Sequence, residues 1–151
     1  MEITKLANSG VRIKSKNTTF IVDPLGGKIE EDVVILYEKP QDYSNFSGKL
    51  VIDSSGEYEV GGVSIKGEKV RDFLAFDFLE DGQKLVIIST PDITGDIETE
   101  DSKVVLVRLT KKIDDETLSS IQSEVVSFYG AEEFLPQGKG TLKRIDKINL
   151  K

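Results

Sequence analysis

Apolar residues in the first two thirds of the chain fall in short runs divided by Gly, Pro, Asn, Asp and Ser, the rhythm of a β-rich domain. Residues 3–6, 10–14 and 18–22 read as three consecutive strands, with the polar Ser15-Lys16-Asn17 as a tight connection between the second and third. Val11 and Ile13, then Phe20 and Val22, alternate with polar or small positions, as in a sheet with one face on a core. Asp23-Pro24-Leu25-Gly26-Gly27 ends that ladder, because proline cannot donate to it and paired glycines favour a turn. Val33-Val34-Ile35-Leu36 is unbroken and reads as a strand buried on both faces. Residues 49–52, 57–60 and 62–66 follow as strands, the last two hinged at Gly61-Gly62. Residues 73–79 and 84–89 flank Glu80-Asp81-Gly82-Gln83, and Asp-Gly between two apolar runs is a strong hairpin signal.

The last third reads differently. After a strand at 103–109, the spacing of Leu118, Ile121, Val125 and Phe128 predicts a helix, capped by Asp114 or Asp115 and ended by Gly130. A short Glu133-Phe134-Leu135 run, a loop at 136–140 and a final strand or turn with Leu142, Ile145 and Ile148 complete the chain. With no repeat, low-complexity tract or linker, residues 1–151 are expected to form one domain.

Composition narrows the chemistry. The 151 residues include 27 acidic and 20 basic side chains, for a net charge of −7, so the molecule's field repels phosphate backbones and nucleic acid is not an expected partner. No apolar run approaches the ~20 residues of a membrane helix, so no membrane is expected either. Met1-Glu2-Ile3-Thr4-Lys5-Leu6 has neither the basic start nor the apolar stretch of a secretory signal, and a cytoplasmic location is expected. Histidine and cysteine are both absent. The chain thus lacks the side chains most used to hold zinc and to move protons near neutral pH, and Ser-His-Asp or Cys-His catalysis is excluded.

Three stretches resemble the metallo-β-lactamase superfamily, in particular its branch of UlaG-like small hydrolases. Leu6-Ala7-Asn8-Ser9-Gly10-Val11-Arg12-Ile13 and Thr19-Phe20-Ile21-Val22-Asp23-Pro24 are similar to its opening, a Leu-Gly-His-Ser, a strand, and a second strand ending in Asp-Pro. Asp32-Val33-Val34-Ile35-Leu36 resembles the strand that delivers metal ligands. Gly56-Glu57-Tyr58-Glu59-Val60-Gly61-Gly62-Val63 closely resembles the branch's Gly-Glu-Tyr-Glu-Val-x-Gly-Val. The resemblance covers about residues 1–90 with specificity and the remainder weakly. It implies an α/β fold, a metallo-β-lactamase-like αββα sandwich, here truncated, of two mostly antiparallel mixed sheets with few outer helices.

The resemblance also places the family's metal site, and there this sequence departs from it. The His-x-His-x-Asp-His loop falls on Glu38, Lys39, Pro40, Gln41, Asp42 and Tyr43, so only Asp42 is kept. Asn8 stands at the first histidine, Asp72 (or Arg71) near a later one, and Asp92 at the metal-bridging aspartate. The last ligand histidine has no counterpart, and one late strand with its ligand loop is expected to be missing. Zinc is therefore not expected. Were Glu38, Asp42, Asp72 and Asp92 to converge, they would suit Mg²⁺ or Mn²⁺, with Asp42 and Asp92 as the ligands, although solvated loop acids are the plainer reading.

Other motifs carry less. Gly138-Lys139-Gly140-Thr141 misses the phosphate-loop pattern at its first glycine, where Glu133 stands, and after its lysine. The acids of 92–101 miss the calcium-loop spacing, and the basic residues 139–151 alternate with aliphatics as in an edge element. Glu57 and Glu59, in a strand–glycine–strand setting, read as structural. The expected function is a non-catalytic pseudo-hydrolase domain with an interaction, structural or regulatory role, forming a homo-oligomer or binding a protein partner. The alternatives are a divergent hydrolase with a carboxylate-bound divalent ion, and a small-ligand module in the vacated cleft.

Overall fold

The alternation at Val11, Ile13, Phe20 and Val22 sets the first sheet. In the computed structural model, which describes residues 1–7, 10–90, 99–135 and 147–150, β1 (Glu2–Lys5), β2 (Val11–Lys14) and β3 (Thr19–Val22) pair antiparallel. Their register lines up Ile3, Ile13 and Phe20, all fully buried. β4 (Val33–Ile35) and β5 (Leu50–Ile52) extend the sheet in parallel, and β12 (Lys147–Asn149) closes its other edge against β1. As its unbroken run requires, β4 is buried on both faces: Val33 and Ile35 face the main core, while Val34 packs with Ile21 and Leu36 under Leu6, Ile29 and Phe46. Phe46 comes from a 3₁₀ turn, Ser44–Phe46.

The second sheet begins with an antiparallel meander, β6 (Gly56–Val60), β7 (Val63–Val70), β8 (Phe73–Glu80) and β9 (Gln83–Ser89). Its first and last turns are two-residue hairpins with both central residues left-handed, Gly61-Gly62 (φ 58° and 84°) and Asp81-Gly82 (φ 51° and 77°), the geometry that matches strand twist. β10 (Val104–Leu109) and β11 (Val125–Gly130) then add in parallel. The two six-stranded sheets, ordered β12-β1-β2-β3-β4-β5 and β11-β10-β9-β8-β7-β6, face each other across one apolar core in which Phe20 meets Phe78 edge-on at 5.4 Å. Both sheets are mixed, with antiparallel pairings in the majority, and among the described residues no helix is long and apolar enough to cross a membrane.

One expectation is corrected. The helix ending at Gly130 is in fact a short α1 (Asp115–Ser120) followed by β11. Asp114 does cap it, its carboxylate accepting from the Thr117 amide at 2.7 Å. Ser119, Ser120 and Ser123 weaken a longer helix, and Val125-Val126-Ser127-Phe128-Tyr129 is β-branched and aromatic. As a strand it buries Phe128 on the outer side of the sheet and Tyr129 on the inner side at once. The late part of the chain thus holds two parallel strands joined through α1, where one strand and a long helix were expected. α1 and the 3₁₀ turn Glu132–Phe134 are the thin outer layer there: Leu118, Ile121 and Phe134 cover Val86, Ile88, Val105, Val107 and Phe128.

Candidate functional site

The parallel strands β3, β4, β9 and β10 end at one rim of the sandwich, and their last inward residues meet there. On β10, Leu106 is in the core and Val107 and Leu109 face outward, so Arg108 is the final inward position. Its Nη1 donates to Asp23, just past β3, at 2.8 Å, and its Nε donates to the Ser89 hydroxyl at 3.0 Å. The guanidinium lies 4.4 Å from the ring centre of Tyr37, just past β4, and 5.1 Å from that of Phe73 at the start of β8. The Tyr37 hydroxyl in turn meets that of Tyr129 on β11 at 2.7 Å. Asp23 has a left-handed backbone (φ 52°), and its amide donates to the Ile35 carbonyl at 2.9 Å. The ends of two strands of the first sheet and residues of four strands of the second, β8 to β11, therefore contribute to one polar cluster.

The electrostatics favour that pairing. The Arg108 side chain is 14% exposed and that of Asp23 23%. Burial pulls the Arg108 pKa down, but the charge and hydrogen bond of Asp23, with the two phenols, outweigh it and hold the guanidinium above its ordinary value. Burial raises the Tyr37 phenol far above its usual range, against the Tyr129 hydrogen bond and the Arg108 charge. Tyr129 rises likewise, through burial and then the proximity of Tyr37 and Asp23. Burial lowers the pKa of Lys5, against the charge of Asp23.

Two of the positions identified from the sequence border this cluster. Glu38 and Asp72 line one surface cleft of about 400 Å³, together with Asp53, Lys39 and Lys69, and Tyr37 and Phe73 reach its wall. Asp42 is not in that lining. It accepts from the Ser44 amide at 2.9 Å and from the Ser44 hydroxyl at 2.8 Å, and the amide bond foremost holds its carboxyl below the usual range. The exposed Tyr43 donates its hydroxyl to Asp53, Pro40 is half-buried, and Asn8 and Asp92 lie outside the described residues. Gly10 lies against the end of β3: a Cβ on it would sit 1.5 Å from the Val22 carbonyl oxygen, so only glycine fits beside Asp23. In the Glu57-Tyr58-Glu59 stretch, the Tyr58 hydroxyl donates to the Ser54 carbonyl at 2.7 Å and pins the turn into β6.

The described residues do not fit zinc. No group of three or more acidic, His or Cys side chains among them can hold a metal ion, and Asp23, the most enclosed carboxylate of the rim cluster, is engaged by a guanidinium whose charge would repel a divalent ion. Sequence reading missed Arg108. The available signal was a lone cation inside Val104-Val105-Leu106-Val107-Arg108-Leu109, a run otherwise apolar.

No protein-family model matches the chain, and no curated protein matches it. Solved structures do. A protein from Thermotoga maritima assigned to the Zn-dependent hydrolases of the metallo-β-lactamase superfamily is 20% identical over 89% of this chain and 78% of its own, with a TM-score of 0.63. The isothiocyanate hydrolase from gut bacteria of Delia radicum is 10% identical over 99% of both chains, with a TM-score of 0.65. At these identities the likeness is one of architecture: the chain has the metallo-β-lactamase fold.

Proposed function

We propose that this chain is a non-catalytic domain of the metallo-β-lactamase superfamily, from its UlaG-like branch, acting through contact with a protein partner. The Asp23–Arg108 pair carries the reading. An arginine is permanently charged, it is stacked on Tyr37 and Phe73, and its partner carboxylate belongs to the Asp-Pro that resembles the branch's own motif. The guanidinium already neutralises Asp23 at the rim, and its charge disfavours a divalent ion beside that carboxylate.

The test is thermal unfolding of the full chain with Zn²⁺, Mn²⁺, Mg²⁺ or Ca²⁺ at millimolar concentration, because specific binding to the native state must raise Tm. No saturable rise is expected with any of them. A saturable rise that disappears in Asp72→Asn or Glu38→Gln overturns this reading. It supports a divergent hydrolase with a carboxylate-bound divalent ion, even though Glu38, Asp53 and Asp72 share a cleft without converging as a ligand set.

A further inference from the structure

The outer face of the second sheet divides in two. Toward β10 and β11 it is apolar and lies under α1, while toward β6 it is polar. There the register runs Glu57–Lys66–Asp77 in one row and Glu59–Ser64–Leu79–Lys84 in the next, and these side chains bound a groove of about 600 Å³. At its margin, β6 pairs with β7 alone among the described residues and forms the edge of the sheet.

The two-residue turn at Gly61-Gly62 fixes which backbone groups of that edge are open. Val60 and Val63 flank the turn and form a hydrogen-bonded pair, as do Tyr58 and Ile65 two residues on. The alternate residues, Glu57 and Glu59, direct their amides and carbonyls outward. The same two residues carry negative side chains on the exposed outer face, since Tyr58 packs against the core.

This edge rejects itself. In a two-fold antiparallel pairing of β6 with a second copy, a register centred on Glu57 or Glu59 puts that residue opposite its own counterpart, and one centred on Tyr58 puts Glu57 opposite Glu59. Each is destabilising, because like charges directly across a strand pair repel. The same spacing selects a strand with cations at alternate positions. Ser64 is short, so between Glu59 and Leu79, itself 46% exposed, the row has room for the aliphatic stem of a lysine or arginine.

We infer that β6 is a docking edge for an extended basic segment of a partner protein, which joins the second sheet with Lys or Arg at alternate positions opposite Glu57 and Glu59. The surface is separate from the rim, so the inference stands whichever way the metal titration falls. It is tested by fluorescence anisotropy of labelled peptides with the full chain at low salt: an alternating Lys-Val peptide, its Glu-Val counterpart, and the Lys-Val peptide N-methylated on alternate amides. Wild type is expected to bind the Lys-Val peptide at least about tenfold more tightly than the Glu-Val one. Glu57→Lys/Glu59→Lys should reverse that order. Glu59→Pro, which removes one outward amide and leaves the β7 pairing intact, should weaken binding, as should N-methylation. Absence of binding, or binding indifferent to both N-methylation and the charge reversal, overturns the inference. So does a wild-type dimer in sedimentation that Glu59→Pro dissolves, since the occupant would then be a second copy.

Discussion

Arg108 and Asp23 tie the two sheets together at one point, and the worth of that tie is measurable. Removing the cation alone leaves a largely enclosed carboxylate without its partner, whereas removing both charges leaves neither. Arg108→Met should therefore lower the unfolding free energy by about 2–4 kcal/mol. Asp23→Asn/Arg108→Met should cost less than the sum of the two single changes in a double-mutant cycle read by urea denaturation. Equal additivity would mean that the pair is a bystander and that Arg108 works only through its stacking on Tyr37 and Phe73.

The element that most changed between sequence and structure is the segment after β10. Its capping residue was legible, and Asp114→Ala should lower the urea midpoint at unchanged slope. No cost would mean that α1 forms without its cap. The β-rich first two thirds were also legible, because alternation at Val11, Ile13, Phe20 and Val22 and the Asp81-Gly82 turn are local signals with a single reading. Leu118, Ile121, Val125 and Phe128 had two readings, since the same spacing suits a helix face or a broken helix and strand. A parallel partner, β10, decided between them, and parallel pairing leaves no mark in a local window. At the rim the limit of the sequence has a related cause. The positions of Glu38 and Asp72 followed from resemblance, and the structure places both in one cleft, but the inward direction of Arg108 depends on the register of β10 within its sheet.

At the scale of the molecule, the buried phenol pair should set the alkaline limit of stability. Tyr37 and Tyr129 are held neutral in the folded state by burial, while in the unfolded chain they ionise near pH 10. A raised folded pKa means that stability is fully present below pH 10 and is lost as pH rises beyond it, by roughly 1 kcal/mol per pH unit for each phenol. Tyr37→Phe/Tyr129→Phe should flatten that decline in denaturant melts between about pH 9 and 11, and an unchanged slope would show that the decline comes from other groups. The pairing of β12 with β1 has a consequence of another kind. The meander β6 to β9 joins neighbours through two-residue turns and needs little loop closure, whereas Ile3 meets Ile148 only after almost the whole chain has been gathered in. The second sheet can assemble while the chain is still being made, and the first stays one strand short until residues 147–149 have been added. During that interval β1 is an additional open edge, exposed to wrong partners.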